Sequence, residues 1–134
     1  MKKAWKSRGI IKILIKKVDR EIMISIINYY LTKNRINKID LPKFKESQFV
    51  RKRYTFIGKV KRVGFRNETL LIARYVGVVG FVYNTRIGVV AEVEGTLEQI
   101  NYVLSHLISI TRFTIEKISE EEVPLVSEKR YYKK

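Results

Sequence analysis

The sequence predicts an α+β fold in which two helices cover one face of an antiparallel five-stranded sheet. Three observations predict it. From Arg53 onward the apolar residues alternate with period two, then switch twice to helical spacing. The resulting order is strand, helix, strand, strand, helix, strand, strand. Each helical segment carries one apolar stripe, and laying both stripes on one sheet face is the simplest way to bury them.

Each element has its own local reason. Tyr54, Phe56, Gly58 and Val60 alternate with Thr55, Ile57 and Lys59, as in a half-buried strand. A helix follows over about 66–76, with Thr69, Ala73 and Val76 on one face and Gly77 placed to cap its end. Strand-like runs at about 79–84 and 88–94 flank Thr85-Arg86-Ile87-Gly88, which reads as a hairpin turn. The second helix, over about 97–108, turns Leu97, Ile100, Leu104, Leu107 and Ile108 inward, and Thr96 with Gln99 forms a capping box. A strand at about 111–119 and a short last strand near 127–132 are separated by Glu120-Glu121-Glu122 and Pro124. Glu92 and Glu94 alternate with Ala91 and Val93, which assigns them to the solvent face. His106 reads as solvent-facing too.

Residues 1–52 form a basic extension and linker ahead of a domain at 53–134. Ile11, Ile15, Val18, Ile22, Ile26 and Tyr29 recur at helical spacing over 10–31. Leu14, Met23, Ile27 and Tyr30 widen that stripe, so this helix needs a cover: its own domain, a second copy in a homodimer, or an anionic membrane surface. Packing on protein is the preferred reading. Asn34 and Asn37, among Lys33, Arg35 and Lys38, predict a polar break, and Pro42 a linker up to about Arg51. Trp5 reads as a packing residue of the tail.

The net charge of +15 is unevenly spread. Residues 1–53 hold 16 Lys/Arg against 4 Asp/Glu, a net of +12; residues 54–134 hold 12 against 9, a net of +3. Such asymmetry points to an anionic partner, such as nucleic acid, for the first part. The chain has no Cys, which excludes disulfides and thiolate metal sites, and its single His excludes a His-rich zinc site. Lys16, Lys17, Asp19, Arg20 and Glu21 interrupt the best apolar run, so no transmembrane segment is expected. The basic N-terminus lacks the apolar stretch of a signal peptide, which places the protein in the cytoplasm.

The chemistry concentrates at residues 58–66, Gly-Lys-Val-Lys-Arg-Val-Gly-Phe-Arg, with Asn84 eighteen residues further on. A short loop between Gly58 and Gly64 closes on Arg66 at the start of a helix. Backbone N–H groups at such a junction, the helix dipole and a forked guanidinium together suit a phosphate. Asn84 ends its strand, where an amide can orient a water. The domain has no Ser-His-Asp or Cys-His set. Glu68, two residues after Arg66, reads as a first-turn carboxylate that favours the helix dipole rather than as a general base.

Val63-Gly64-Phe65-Arg66, Ala73, Gly77, Gly80-Phe81-Val82, Asn84-Thr85, Gly88-Val89-Val90 and Glu94-Gly95 resemble the acylphosphatase signature. There the pattern is roughly G-x-V-Q-G-V-G-F-R, an alanine, G-W-V-x-N, a G-x-V strand and a terminal E-G. The resemblance covers about 53–134 and implies a ferredoxin-like sandwich with one extra edge strand. It implies that Arg66 binds the phosphoryl oxygens and Asn84 holds the attacking water. It further implies that Thr85 steadies the site and that the backbone of Lys61, Arg62, Val63, Gly64 and Phe65 cradles the phosphate. The implied substrate is a small acyl phosphate, with no metal or cofactor. A larger maturation protein that contains such a domain is a poor match to a chain of this length.

This sequence departs from the pattern at Lys61-Arg62, where the family has Gln-Gly. Either the missing glycine removes a backbone conformation the cradle uses, or Arg62 adds charge beside the anion. The alternative function is an acylphosphatase-like module that has lost the reaction and binds nucleic acid or another polyanion through its extension.

Overall fold

The computed structural model describes residues 20–134. Residues 10–19 of the expected extension helix, and Trp5, lie outside the described residues. The chain divides after Leu31 into two compact units. Helix α1 (Arg20–Asn37) runs through that division. It continues across the polar break expected at 33–38, because Thr32 and Ile36 are buried within the second unit and hold the last turn. The Tyr75 hydroxyl donates to the Ile39 carbonyl at 2.5 Å, which fastens the chain just beyond the helix.

The second unit contains β1 (Phe49–Lys59), α2 (Phe65–Val76), β2 (Val79–Asn84), β3 (Gly88–Thr96), α3 (Leu97–Ser109), β4 (Thr114–Val123) and β5 (Tyr131–Lys133). The sheet order is β4-β1-β3-β2-β5. This is the ferredoxin-like α+β fold that the sequence predicts, with one strand added beside β2. Local signals act where expected. Gly77, at φ 96°, closes α2 by donating its N–H to the Ala73 carbonyl at 2.9 Å. The Thr96 hydroxyl accepts from the Gln99 N–H at 3.2 Å while the Gln99 side chain accepts from the Thr96 N–H at 3.0 Å.

One sheet face carries Tyr54, Phe56, Val82, Ala91 and Val93, in register across β1, β3 and β2. It meets Ile72 and Ala73 of α2 and Ile100, Val103 and Leu107 of α3, and all of these are buried. Each large apolar side chain removed from water here contributes about 1.5–3 kcal/mol.

Leu97 and Ile108 of α3 are exposed rather than turned inward, and four further expectations need correction. First, the sheet is mixed, because β5 runs parallel to β2. β4 lies at the opposite edge and points against β2, so a chain that crosses the sheet and turns back arrives parallel to β2. Second, Glu120, Glu121 and Glu122 belong to β4 rather than to a break, since their backbone pairs with Tyr54, Arg53 and Lys52 of β1. Third, β1 opens at Phe49, where the linker was expected to continue, because β3 extends to Thr96 and supplies it a partner. Fourth, Glu92 and Glu94 are 6% and 2% exposed rather than solvent-facing. Residues 124–130 cross their face of the sheet, and the Val126 and Ser127 N–H groups donate to Glu94 at 2.7 and 3.1 Å.

Arg51 sits beneath that crossing segment with its side chain fully buried. Its Nε donates to Glu92 at 2.8 Å, and its Nη1 to Glu94 at 3.2 Å. Nη1 and Nη2 fork onto the Glu128 carboxylate at 2.6 Å each. Burial alone would raise the Glu92 pKa, but hydrogen bonds from Arg51 and then Arg53 hold it below the ordinary carboxylate value.

Candidate functional site

Strand direction decides which candidate residues meet. β1 and β2 both run antiparallel to β3, so they end at the same edge of the sheet, with Ile57 opposite Gly88 and Asn84 opposite Val89. β5 ends at that edge too, and β4 begins there, with Thr114 opposite Lys59. The loop 60–64, the first turn of α2, the turn at 85–87, Arg112 and Lys133 are thereby gathered at one edge. Arg66 lies half-buried in the first turn of α2, and Asn84 is exposed at the end of β2.

The loop keeps the unusual backbone that its glycine-rich pattern implies. Arg62 has φ 61°, a left-handed conformation that a non-glycine residue adopts at a cost of about 1–2 kcal/mol. Arg62 therefore takes the left-handed conformation that a glycine would adopt freely, and it places its charge in the loop. Gly64 follows at φ 82° as the residue preceding α2, and no side chain caps that helix. The N–H groups of Phe65, Arg66 and Asn67 thus lack intrahelical acceptors, and the positive end of the helix dipole is open to an anion.

Neighbouring groups brace the loop. The Lys61 ammonium donates to the Arg86 carbonyl at 2.9 Å, which joins the loop to the β2–β3 turn. The Thr85 hydroxyl accepts from the Gly88 N–H at 3.1 Å, and the Thr85 N–H donates to the Gly88 carbonyl at 2.8 Å. Thr85 therefore closes the turn that carries Asn84. The backbone of Lys61 to Phe65 forms the loop itself, with Val63 anchored through its carbonyl to Arg112 Nε at 2.9 Å.

Two residues differ from the sequence reading. Glu68 is the first-turn carboxylate expected, but it is also fully buried and bonded to Arg35, His106 and Arg112. His106, expected to face solvent, has a side chain only 10% exposed, with Nε2 at 2.6 Å from Glu68 Oε2. Burial would push the Glu68 pKa up, but hydrogen bonds from His106 and Arg35 outweigh it and hold the carboxyl below its ordinary value.

Lys133 was not legible in the sequence. β5 pairs it with Val82, two residues before Asn84 and on the same face. Partial desolvation and the Arg66 charge lower its pKa, so the two cations share one neighbourhood. Only the register of β5 reveals this, and a three-residue strand carries no periodicity to read. Among the described residues no three His, Asp or Glu side chains are arranged to hold a metal ion. Nor is any helix among them long and apolar enough to cross a membrane.

The sequence model of one family, described as Acylphosphatase, matches residues 52–133. No curated protein sequence matches significantly. Among solved structures, full-length HypF in its phosphate- and nucleotide-bound form is similar at 26% identity with a TM-score of 0.62, over 68% of this chain and 12% of HypF. The chain thus spans only a small part of that protein's length. An acylphosphatase from Coxiella burnetii matches at 20% identity and a TM-score of 0.61, over 69% of this chain and 100% of its own. One from Bacillus subtilis matches at 24% identity and a TM-score of 0.58, over 62% and 96% respectively. At these identities the last two show the shared fold.

Proposed function

The chain belongs to the acylphosphatase family, and on that premise we propose that it hydrolyses small acyl phosphates to a carboxylate and phosphate. Arg66 forks onto two phosphoryl oxygens. N–H groups of residues 61–65 and of the open first turn of α2 hold the others. The Asn84 amide holds a water in line with the scissile bond. Attack forms a P–O bond to that water and breaks the P–O bond to the acyl oxygen. The carboxylate leaves with the electron pair, and the water's proton passes to a phosphoryl oxygen of the substrate. The leaving group is already a stable anion, so positioning and charge stabilisation supply most of what the reaction needs.

The observation that carries this reading is the left-handed Arg62 ahead of an uncapped helix, at the sheet edge where Asn84 ends β2. Arg62 adopts the left-handed conformation that a glycine takes without cost, which supports a loop shaped to hold an anion. Release of phosphate from benzoyl phosphate tests it. Arg66→Ala and Asn84→Ala should each lower kcat by about 10²–10³-fold, the usual loss for one group that stabilises transition-state charge. A folded wild type without turnover overturns the proposal.

A second reading has its own observation, the net charge of +12 over residues 1–53. It makes the extension a polyanion-binding arm, with affinity that falls steeply with salt. Full-chain binding to single-stranded RNA at low salt, measured by fluorescence anisotropy, checks it; no binding there removes it.

A further inference from the structure

Glu68 occupies a place where a carboxylate invites a catalytic role, two residues beyond Arg66, yet it is the centre of a clamp. Three cationic or potentially cationic side chains from three segments converge on it: Arg35 from the last turns of α1, His106 from α3 and Arg112 from the loop before β4. Arg112 Nη2 donates to Oε1 at 3.1 Å, and Arg35 donates to the same oxygen. His106 meets Oε2 at 2.6 Å. Both oxygens are occupied, and the pKa is held down, so this carboxylate is a poor base.

Arg112 makes a second contact that gives the cluster its purpose. Its Nε donates to the Val63 carbonyl at 2.9 Å. A trans peptide unit is planar, with its C=O and N–H pointing opposite ways. Fixing the Val63 oxygen on Arg112 therefore turns the Gly64 N–H away from Arg112. Gly64 stands at the mouth of α2, and its Cα hydrogen side faces Arg112, whose Nη2 would lie 3.5 Å from a β-carbon placed there. One guanidinium thus sets the orientation of a peptide in the loop, and Glu68 sets the orientation of the guanidinium.

We propose that Arg112 is a positioning residue for the anion site, held in place by Glu68, and that Arg35 builds the last turns of α1 into the same clamp. The substrate's identity rests on the acylphosphatase reading; the clamp would act on any phosphate bound by the loop. A lysine replaces Arg112 poorly, because its ammonium lacks the rigid planar fork whose Nε and Nη2 reach Val63 and Glu68 along separate fixed directions.

Isothermal titration of the full chain with inorganic phosphate tests this without requiring turnover. Arg112→Met and Arg112→Lys should both weaken phosphate binding about tenfold, the loss of one well-aimed hydrogen bond to a charged group. Lys129→Met removes the same charge from the exposed crossing segment and should bind as the wild type does. Glu68→Gln should behave like Arg112→Met, and Arg35→Gln should weaken binding by a smaller factor. A merely structural role would lower Tm and leave the affinity of the folded protein unchanged. Rescue by Arg112→Lys, or Arg112→Met matching Lys129→Met, overturns the clamp even if the wild type hydrolyses benzoyl phosphate. A wild type that binds phosphate with this pattern but lacks turnover upholds the clamp and sinks the phosphatase. No phosphate binding by the wild type overturns both.

Discussion

Two buried ion clusters in this protein are near mirror images in charge. On the sheet face away from α2 and α3 one fully buried cation, Arg51, is surrounded by Glu92, Glu94 and Glu128, with Arg53 on the other oxygen of Glu92. At the sheet edge a single carboxylate, Glu68, is surrounded by Arg35, His106 and Arg112. Both central side chains are fully buried. Their surroundings differ: two of the three partners of Arg51 are nearly buried, whereas Arg35 and Arg112 remain 43% and 45% exposed. The first cluster joins the sheet to the segment that crosses it, and holds more carboxylates than cations. The second leaves positive charge facing outward, beside the loop and the open end of α2. A closed cluster serves the fold, and an open cationic one suits an incoming anion.

Removing the cation from the closed cluster should have the largest effect. Arg51→Met leaves Glu94 and Glu128 without their cation and Glu92 with Arg53 alone, which costs about 3–5 kcal/mol. Urea unfolding should show that loss, while phosphate affinity of the remaining folded protein stays unchanged. Equal damage to phosphate binding would break the division between the two clusters.

Acid should act on both clusters, in a direction the shifts set. Glu68, Glu92 and Glu128 are all held below the ordinary value of 4.5. The unfolded chain therefore binds more protons than the folded one as pH falls through that region. The stability these groups contribute is fully present above about pH 4.5 and is lost as pH falls through their lower folded values. Thermal melts from pH 7 to pH 3 should show Tm declining only below that point. In Arg51→Met the decline should begin at higher pH, since Glu92 and Glu128 lose their main hydrogen-bond donor.

The smallest effect concerns the loop. Arg62→Gly relieves the left-handed strain but adds unfolded-chain entropy, so stability should change by less than about 1 kcal/mol. Phosphate affinity at low salt should fall a few-fold with the lost charge, in the range of a partly exposed ion pair. A hundredfold fall would mean that the Arg62 side chain, as well as its backbone, grips the anion.

Much of the fold could be read locally. The stripe on α2, the Gly77 cap and the Thr96–Gln99 capping box depend on residues within one or two turns of each other, and such short-range rules hold in any context. Arg66 and Asn84 stood out for a related reason: their spacing around a strand–loop–helix unit is itself a local pattern. The burial of Glu92 and Glu94 was invisible, because period two assigns them a face but says nothing of what later covers it. Arg51 reaches Glu128 across 77 residues, and Arg35 reaches Glu68 across 33. The direction of β5, the approach of Lys133 to Arg66 and the grip of Arg112 on Val63 likewise arise only when distant segments meet. The helices α2 and α3, their caps and the turns follow from the sequence by itself, since neighbouring residues supply their energy. Which charges are buried, paired or left open is decided by tertiary structure, since a charge is stabilised or exposed by whatever the rest of the chain lays against it.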